Sequence, residues 1–221
     1  MTATKKSTGT SINAEKIVSK YMNYVLDHEK EPKSVFKFCK ALEIEESKFY
    51  EFYGSIEALK KGIWNSFYSQ TIKLVEKDKN FERYGNREKM LSFFFTFFEN
   101  LTLNRSYVLY SLNAHKNMLK NLDQLKGLRS HIKDFASGLI EEKNADKPFK
   151  ITQRSPIIFS EGAWLQFLFL LKFWMDDTSP GLEKTDLAIE KSVNTIFDVF
   201  DNTPLDSIID FGKFLWKENK A

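Results

Sequence analysis

The chain of 221 residues is short of the residues that bridge or break a backbone, with one cysteine, five prolines and nine glycines. A lone cysteine, Cys39, excludes an internal disulfide framework and suits a reducing compartment. Few prolines and glycines favour long helices joined by short loops. Charge of one sign is scarce too: a formal net charge of +3 is too small to imply a nucleic-acid partner by itself. The apolar run GAWLQFLFLL is too short to span a bilayer and reads as a buried helix. The opening MTATKKSTGTS has no apolar core of a secretory signal, so residues 1–11 are expected to form a disordered tail and the protein to be cytoplasmic.

Chemistry is equally sparse. His28, His115 and His131 are scattered without metal-ligand spacing. No G-x-S-x-G, P-loop or Rossmann glycine pattern occurs, and the pairs Glu141-Glu142 and Asp176-Asp177 sit at expected helix ends. Neither an enzyme nor a metal or cofactor site is expected.

What the chain has is phenylalanine, 21 of them, at helical spacing. The most informative stretch is 34–59, SVFKFCKALEIEESKFYEFYGSIEAL. Ser34 reads as the N-cap of a short helix with Val35, Phe36, Cys39 and Leu42 on one face. Ile44 plugs a turn, and Phe49, Phe52 and Tyr53 recur as a second short helix. Gly54-Ser55 stops it and caps a longer helix that starts with Ile56, Leu59, Ile63 and Phe67 and ends near Asp78. Two short helices in a three-helix unit have the geometry that sets one helix in a DNA major groove.

Ala41-x-x-Ile44, then Phe49-Tyr50-x-x-Tyr53-Gly54-Ser55-x-Glu57-x-Leu59, resembles the DNA-binding segment of the TetR family of bacterial transcription regulators. The family's own pattern there is Leu-Tyr-x-x-Phe-x-Ser-Lys-Glu-x-Leu. The resemblance covers residues 12–64 and implies double-stranded DNA as a partner, with contacts at Lys33, Ser34, Lys37, Ser47, Lys48, Tyr50 and Tyr53. Three positions depart from the pattern. Glu43 stands where the family's turn carries glycine, which suits a backbone that stays at negative φ. Glu45-Glu46 opens the recognition helix, where carboxylates suit the helix N-terminus but repel phosphates. Ile56 replaces a phosphate-contacting lysine. Between residues 12 and 62 nine lysines meet nine carboxylates, so the module lacks the net charge that drives non-specific DNA affinity.

Beyond the head, helices are expected at 87–101, 105–119, 122–141, 157–175 and 182–200, with a loop at 144–152 and a last helix at 205–217. The fold class is therefore all-α. It comprises a helix-turn-helix head at 12–62 and a helical effector-binding and dimerisation domain at 63–221. In the 87–101 helix Leu91, Phe94, Phe95 and Phe98 read as the core stripe, flanked by Phe93 and Phe97. The resemblance implies a homodimer paired through the helices at 157–175 and 182–200, with Trp164, Phe167, Leu168, Leu171 and Trp174 as the apolar stripe. The same stripe would equally fill the subunit's own core. An apolar small-molecule effector is expected among Phe94, Phe97, Phe98, Tyr107, Tyr110, Phe169 and Phe173, since few convergent charges are available to hold an anion. Aromatic stripes at this spacing also make solid core.

A second resemblance lies at the C-terminal end. Trp174-x-Asp176-Asp177-Thr178-Ser179-Pro180, followed by Thr185-Asp186, is similar to the TetR-like accessory proteins of ubiquinone biosynthesis. That likeness implies a lipid- or isoprenoid-binding protein that does not bind DNA. It also implies membrane contact through the amphipathic segment 205–217, although a helix packed on its own domain shows the same pattern.

Overall fold

The structure is a computed structural model that describes residues 12–113, 118–145 and 155–202. The tail 1–11, the last helix expected at 205–217 and most of the loop expected at 144–152 lie outside them. The described elements are helical, in the order α1 (Ala14–His28), α2 (Val35–Ala41), α3 (Glu46–Tyr50), α4 (Ile56–Val75), α5 (Asn86–Leu103), α6 (Arg105–Asn113), α7 (Met118–Asp123), α8 (Lys126–Ala145), α9 (Pro156–Asp176) and α10 (Glu183–Asn202). Short polar side chains start several of them by accepting an otherwise orphaned backbone N–H. Asn13 takes Lys16 N at 2.9 Å, Ser34 takes Lys37 N at 3.2 Å, Ser55 takes Ala58 N at 3.0 Å and Ser155 takes Ile158 N at 3.4 Å.

The chain divides into two compact units. The first holds the described residues up to Trp64 together with those of 104–124, so α6 and α7 join α1–α3 and the start of α4. Its core is aromatic: Tyr21 meets Phe38 edge-on at 5.6 Å, Phe38 meets Phe49 at 6.1 Å, and Tyr107 of α6 meets Tyr21 at 6.4 Å. Ile17, Val25, Leu59 and Ile63 fill the space around the rings. Gln124 closes the unit from below α6. It accepts Trp64 Nε1 at 3.0 Å and donates to Ser111 O at 3.0 Å and Asn121 O at 2.8 Å. A buried amide that satisfies three partners fixes a helix end better than apolar contact does. The α7–α8 break therefore falls at Gln124–Leu125, not at the expected 120–121.

The second unit holds the rest of α4 with α5, α8, α9 and α10. Met90, Phe93, Phe94, Phe97, Phe98 and Leu101 are the buried face of α5, while Leu91 is half-buried and Phe95 is exposed. This corrects the expected stripe by one position, because a run of phenylalanines presents an apolar residue in every direction and leaves the choice of face to the neighbours. Phe97 stands edge-on to Phe167 of α9 at 5.5 Å, and Phe159 of α9 to Phe197 of α10 at 5.2 Å. Two buried pairs cross between helices, Asn100 Nδ2 donating to Thr71 Oγ1 at 2.9 Å and Trp174 Nε1 to Thr102 Oγ1 at 3.0 Å, while Asn65 Oδ1 is buried without a hydrogen-bond partner among the described residues. At 21 residues α9 outruns the apolar stretch that marks it in the sequence and is long and apolar enough to cross a bilayer; half of its most apolar window is buried, as in a core helix.

Candidate functional site

In α2 the inward side chains are Phe38 and Cys39, while Phe36, expected inside, is 58% exposed. With α2 only seven residues long, packing against Tyr21 and Phe49 selects the face through Phe38. The turn that follows is tight: Ile44 N donates to Cys39 O at 3.1 Å and Leu42 N to Phe38 O at 3.2 Å. Glu43 sits at φ 53° in the left-handed region, contrary to the negative φ that its side chain favours. The turn needs a glycine-like backbone and carries a glutamate.

α3 is a single turn and a half, ending at Tyr50, so Phe52 and Tyr53 lie beyond it; Phe49 is its buried anchor. Phe52 is exposed and Tyr53 is half-buried. The Tyr53 ring lies against the backbone of α4, where a Cβ on Gly62 would come within 2.6 Å of its Cε1. Tyr53 thus packs the segment after α3 onto α4, half-buried where the other candidate contacts are exposed. Lys33, Ser34, Lys37, Ser47, Lys48 and Tyr50 are exposed.

Those on α3 are engaged by carboxylates of the same short segment. Lys48 Nζ donates to Glu51 Oε1 at 2.6 Å, Tyr50 Oη to Glu46 Oε1 at 3.2 Å, and Ser47 Oγ to Glu45 Oε2 at 3.3 Å. The Glu51 hydrogen bond holds the Lys48 ammonium pKa above its usual 10.5. Lost solvation and then Glu46 push the Tyr50 phenol up. Every candidate contact on α3 is charged or polar, accessible, and already paired.

Of the seven residues expected around one effector cavity, Phe94, Phe97 and Phe98 are buried in the second unit. Tyr107 is buried in the first unit, its Oη without a hydrogen-bond partner among the described residues, and Tyr110 is half-buried on the same helix. Phe169 and Phe173 instead line an open apolar groove of about 520 Å³ formed by α9 and α10 with Leu187, Ala188, Thr195 and Ile196. The α10 half of this groove was missed from sequence. Its signal is a second apolar stripe, Leu187, Ile196 and Val199, beside the buried Ile189, Val193, Phe197 and Phe200.

The expected dimer stripe is corrected in the same way. Trp164, Phe167, Leu171 and Trp174 are buried within the chain and Leu168 is half-buried, because α9 packs against both α8 and α10. The residues that α9 leaves outside are Ile157, Leu165 and Phe169, the last two 65% and 56% exposed. Among the described residues no group of three or more His, Cys, Asp or Glu side chains could hold a metal ion. His28 stacks on Tyr24 at 4.1 Å and His131 on Tyr68 at 4.8 Å.

Comparison with known proteins gives the chain a family. Residues 89–215 match the family described as "Tetracyclin repressor-like, C-terminal domain", so the chain belongs to the tetracycline-repressor-like (TetR) family. It is similar to the crystal structure of a protein from Syntrophomonas wolfei str. Goettingen assigned to the TetR-family transcriptional regulators. The TM-score is 0.61 at 15% identity, over 86% of this chain and 95% of that one, a likeness of fold. No curated protein matches the chain.

Proposed function

We propose that the protein is a cytoplasmic transcription regulator that binds double-stranded DNA through α2, the turn and α3, with residues 12–62 as the DNA-binding head. The observation that carries this reading is local. Two short helices are capped by Ser34 and closed by Ser55, share the Phe38–Phe49 contact, and turn through a left-handed residue at the position where the family's pattern has glycine. In this reading Lys33, Ser34, Lys37, Lys48 and Tyr50 meet phosphates. Two copies pair through the exposed faces of α9 and α10, so that two heads address two half-sites. The effector is apolar, because phenyl and indole rings dominate the buried side chains of the second unit.

A second reading has one specific observation in its favour. The carboxylates that occupy Ser47, Lys48 and Tyr50 suit a protein of this fold that holds a lipid or isoprenoid and does not bind DNA. Selection of random duplex DNA by the purified protein at low salt separates the two. Recovery of a two-fold symmetric site is the expected result. No retained DNA, together with co-purified extractable lipid, would reject the regulator.

A further inference from the structure

Between Glu43 and Glu51 the chain carries four carboxylates, Glu43, Glu45, Glu46 and Glu51, against the single cation Lys48. Their placement makes this more than a charge count. Glu51 holds the Lys48 ammonium at 2.6 Å and Glu46 accepts from the Tyr50 hydroxyl at 3.2 Å, so two of the groups best suited to meet a phosphate are engaged by acceptors of the same short segment. A phosphate that approached Lys48 would have to share the ammonium with Glu51 and lie beside that carboxylate, within the distance over which salt leaves charges unscreened. Phosphate contacts supply non-specific affinity, whereas base edges supply sequence discrimination.

Resting on the DNA-binding reading above, we propose that Glu46 and Glu51 are specificity-determining residues. By competing with phosphates for Tyr50 and Lys48, they suppress binding to random sequence more than binding to the operator. The device works against the wrong partner, weakening both complexes and the non-specific one more.

The test is a comparison of wild type with Glu51→Gln, Glu46→Gln and Lys48→Gln, measuring affinity for the selected site and for a random duplex across a salt series. Both glutamates are exposed or half-exposed, and the amide keeps the side-chain shape. Glu51→Gln is expected to raise random-duplex affinity about five- to tenfold at low salt and to steepen its salt slope by roughly 0.9, one released counterion's worth. Affinity for the selected site rises less, so the ratio falls. Lys48→Gln alone weakens both complexes and, added to Glu51→Gln, abolishes the gain, which ties the effect to the pair. A selected site bound with unchanged ratio and slope by the glutamine variants overturns the proposal alone. Absence of DNA binding by wild type and all variants overturns the reading beneath it as well.

Discussion

At Glu43 a single backbone angle decides how α2 meets α3. Phe38 and Cys39 must point into the same core as Phe49 across four residues, and the chain reverses through φ 53° to do it. A non-glycine residue in the left-handed region costs roughly 1 kcal/mol, and glycine returns about half of that gain through the extra freedom of the unfolded chain. Glu43→Gly is therefore expected to stabilise the protein by about 0.5 kcal/mol, seen as a higher urea midpoint at unchanged slope. Glu43→Val, whose branched Cβ tolerates this angle least, lowers the midpoint. A loss of stability in the glycine variant would show that the turn carries no strain. The residue types in 41–44 point to a turn. They do not show its φ, which is imposed by where the flanking aromatic rings must reach, and a glutamate gives no local sign of it.

The hinge from α9 to α10 is held by one side chain. Asp177 Oδ1 accepts Ser179 N at 2.8 Å and Ser179 Oγ at 2.7 Å, while Oδ2 accepts Thr185 N at 2.9 Å and Thr185 Oγ1 at 2.7 Å. Ser179 first and then Thr185 hold the Asp177 carboxyl well below its ordinary 3.8, and Lys133 with Arg129 depress Glu161 in the same direction. A depressed carboxylate stabilises the fold above its unfolded value and loses that contribution as pH falls below it. Asp186, raised by burial and by Asp177, works with the opposite sign and offsets part of the loss. The melting temperature is thus expected to fall as pH drops below about 4. Asp177→Asn should melt lower than wild type at pH 7, because its amide nitrogen must face one of the two donor pairs, that of Ser179 or that of Thr185, and should show a shallower acid slope. Equal melting of the two proteins at pH 7 would remove the clasp. Helix starts were readable at Ser34 and Ser55 because each caps through chemistry carried by one residue. The buried faces of α2 and α5 were not, since Phe36 and Phe38, or Phe93 through Phe98, offer apolar side chains on either face.

For the molecule as a whole, the open question for assembly is what covers the exposed faces of α9 and α10. Trp164, Phe167, Leu171 and Trp174 repeat at the spacing of an interface, but that spacing is also the spacing of a core, and the neighbouring helices claim them. Outside lie Ile157, Leu165 and Phe169 on α9 with Leu187 and Val199 on α10, beside the groove of about 520 Å³. A contiguous apolar face on a free monomer invites association, and a second copy of the same two helices would bury it symmetrically. Sedimentation at micromolar concentration is expected to give a dimer, and Phe169→Glu with Leu187→Glu to give a monomer of unchanged helix content. The two kinds of apolar residue separate in the same experiment. Phe167→Ala, in the core, costs about 3–5 kcal/mol of folding stability, whereas the glutamate pair costs association. A wild-type monomer at tens of micromolar would reject the pairing. In the proposed function each head of the dimer would meet one half-site. The glutamate pair should lose its preference for a symmetric duplex over a half-site while each head keeps its fold.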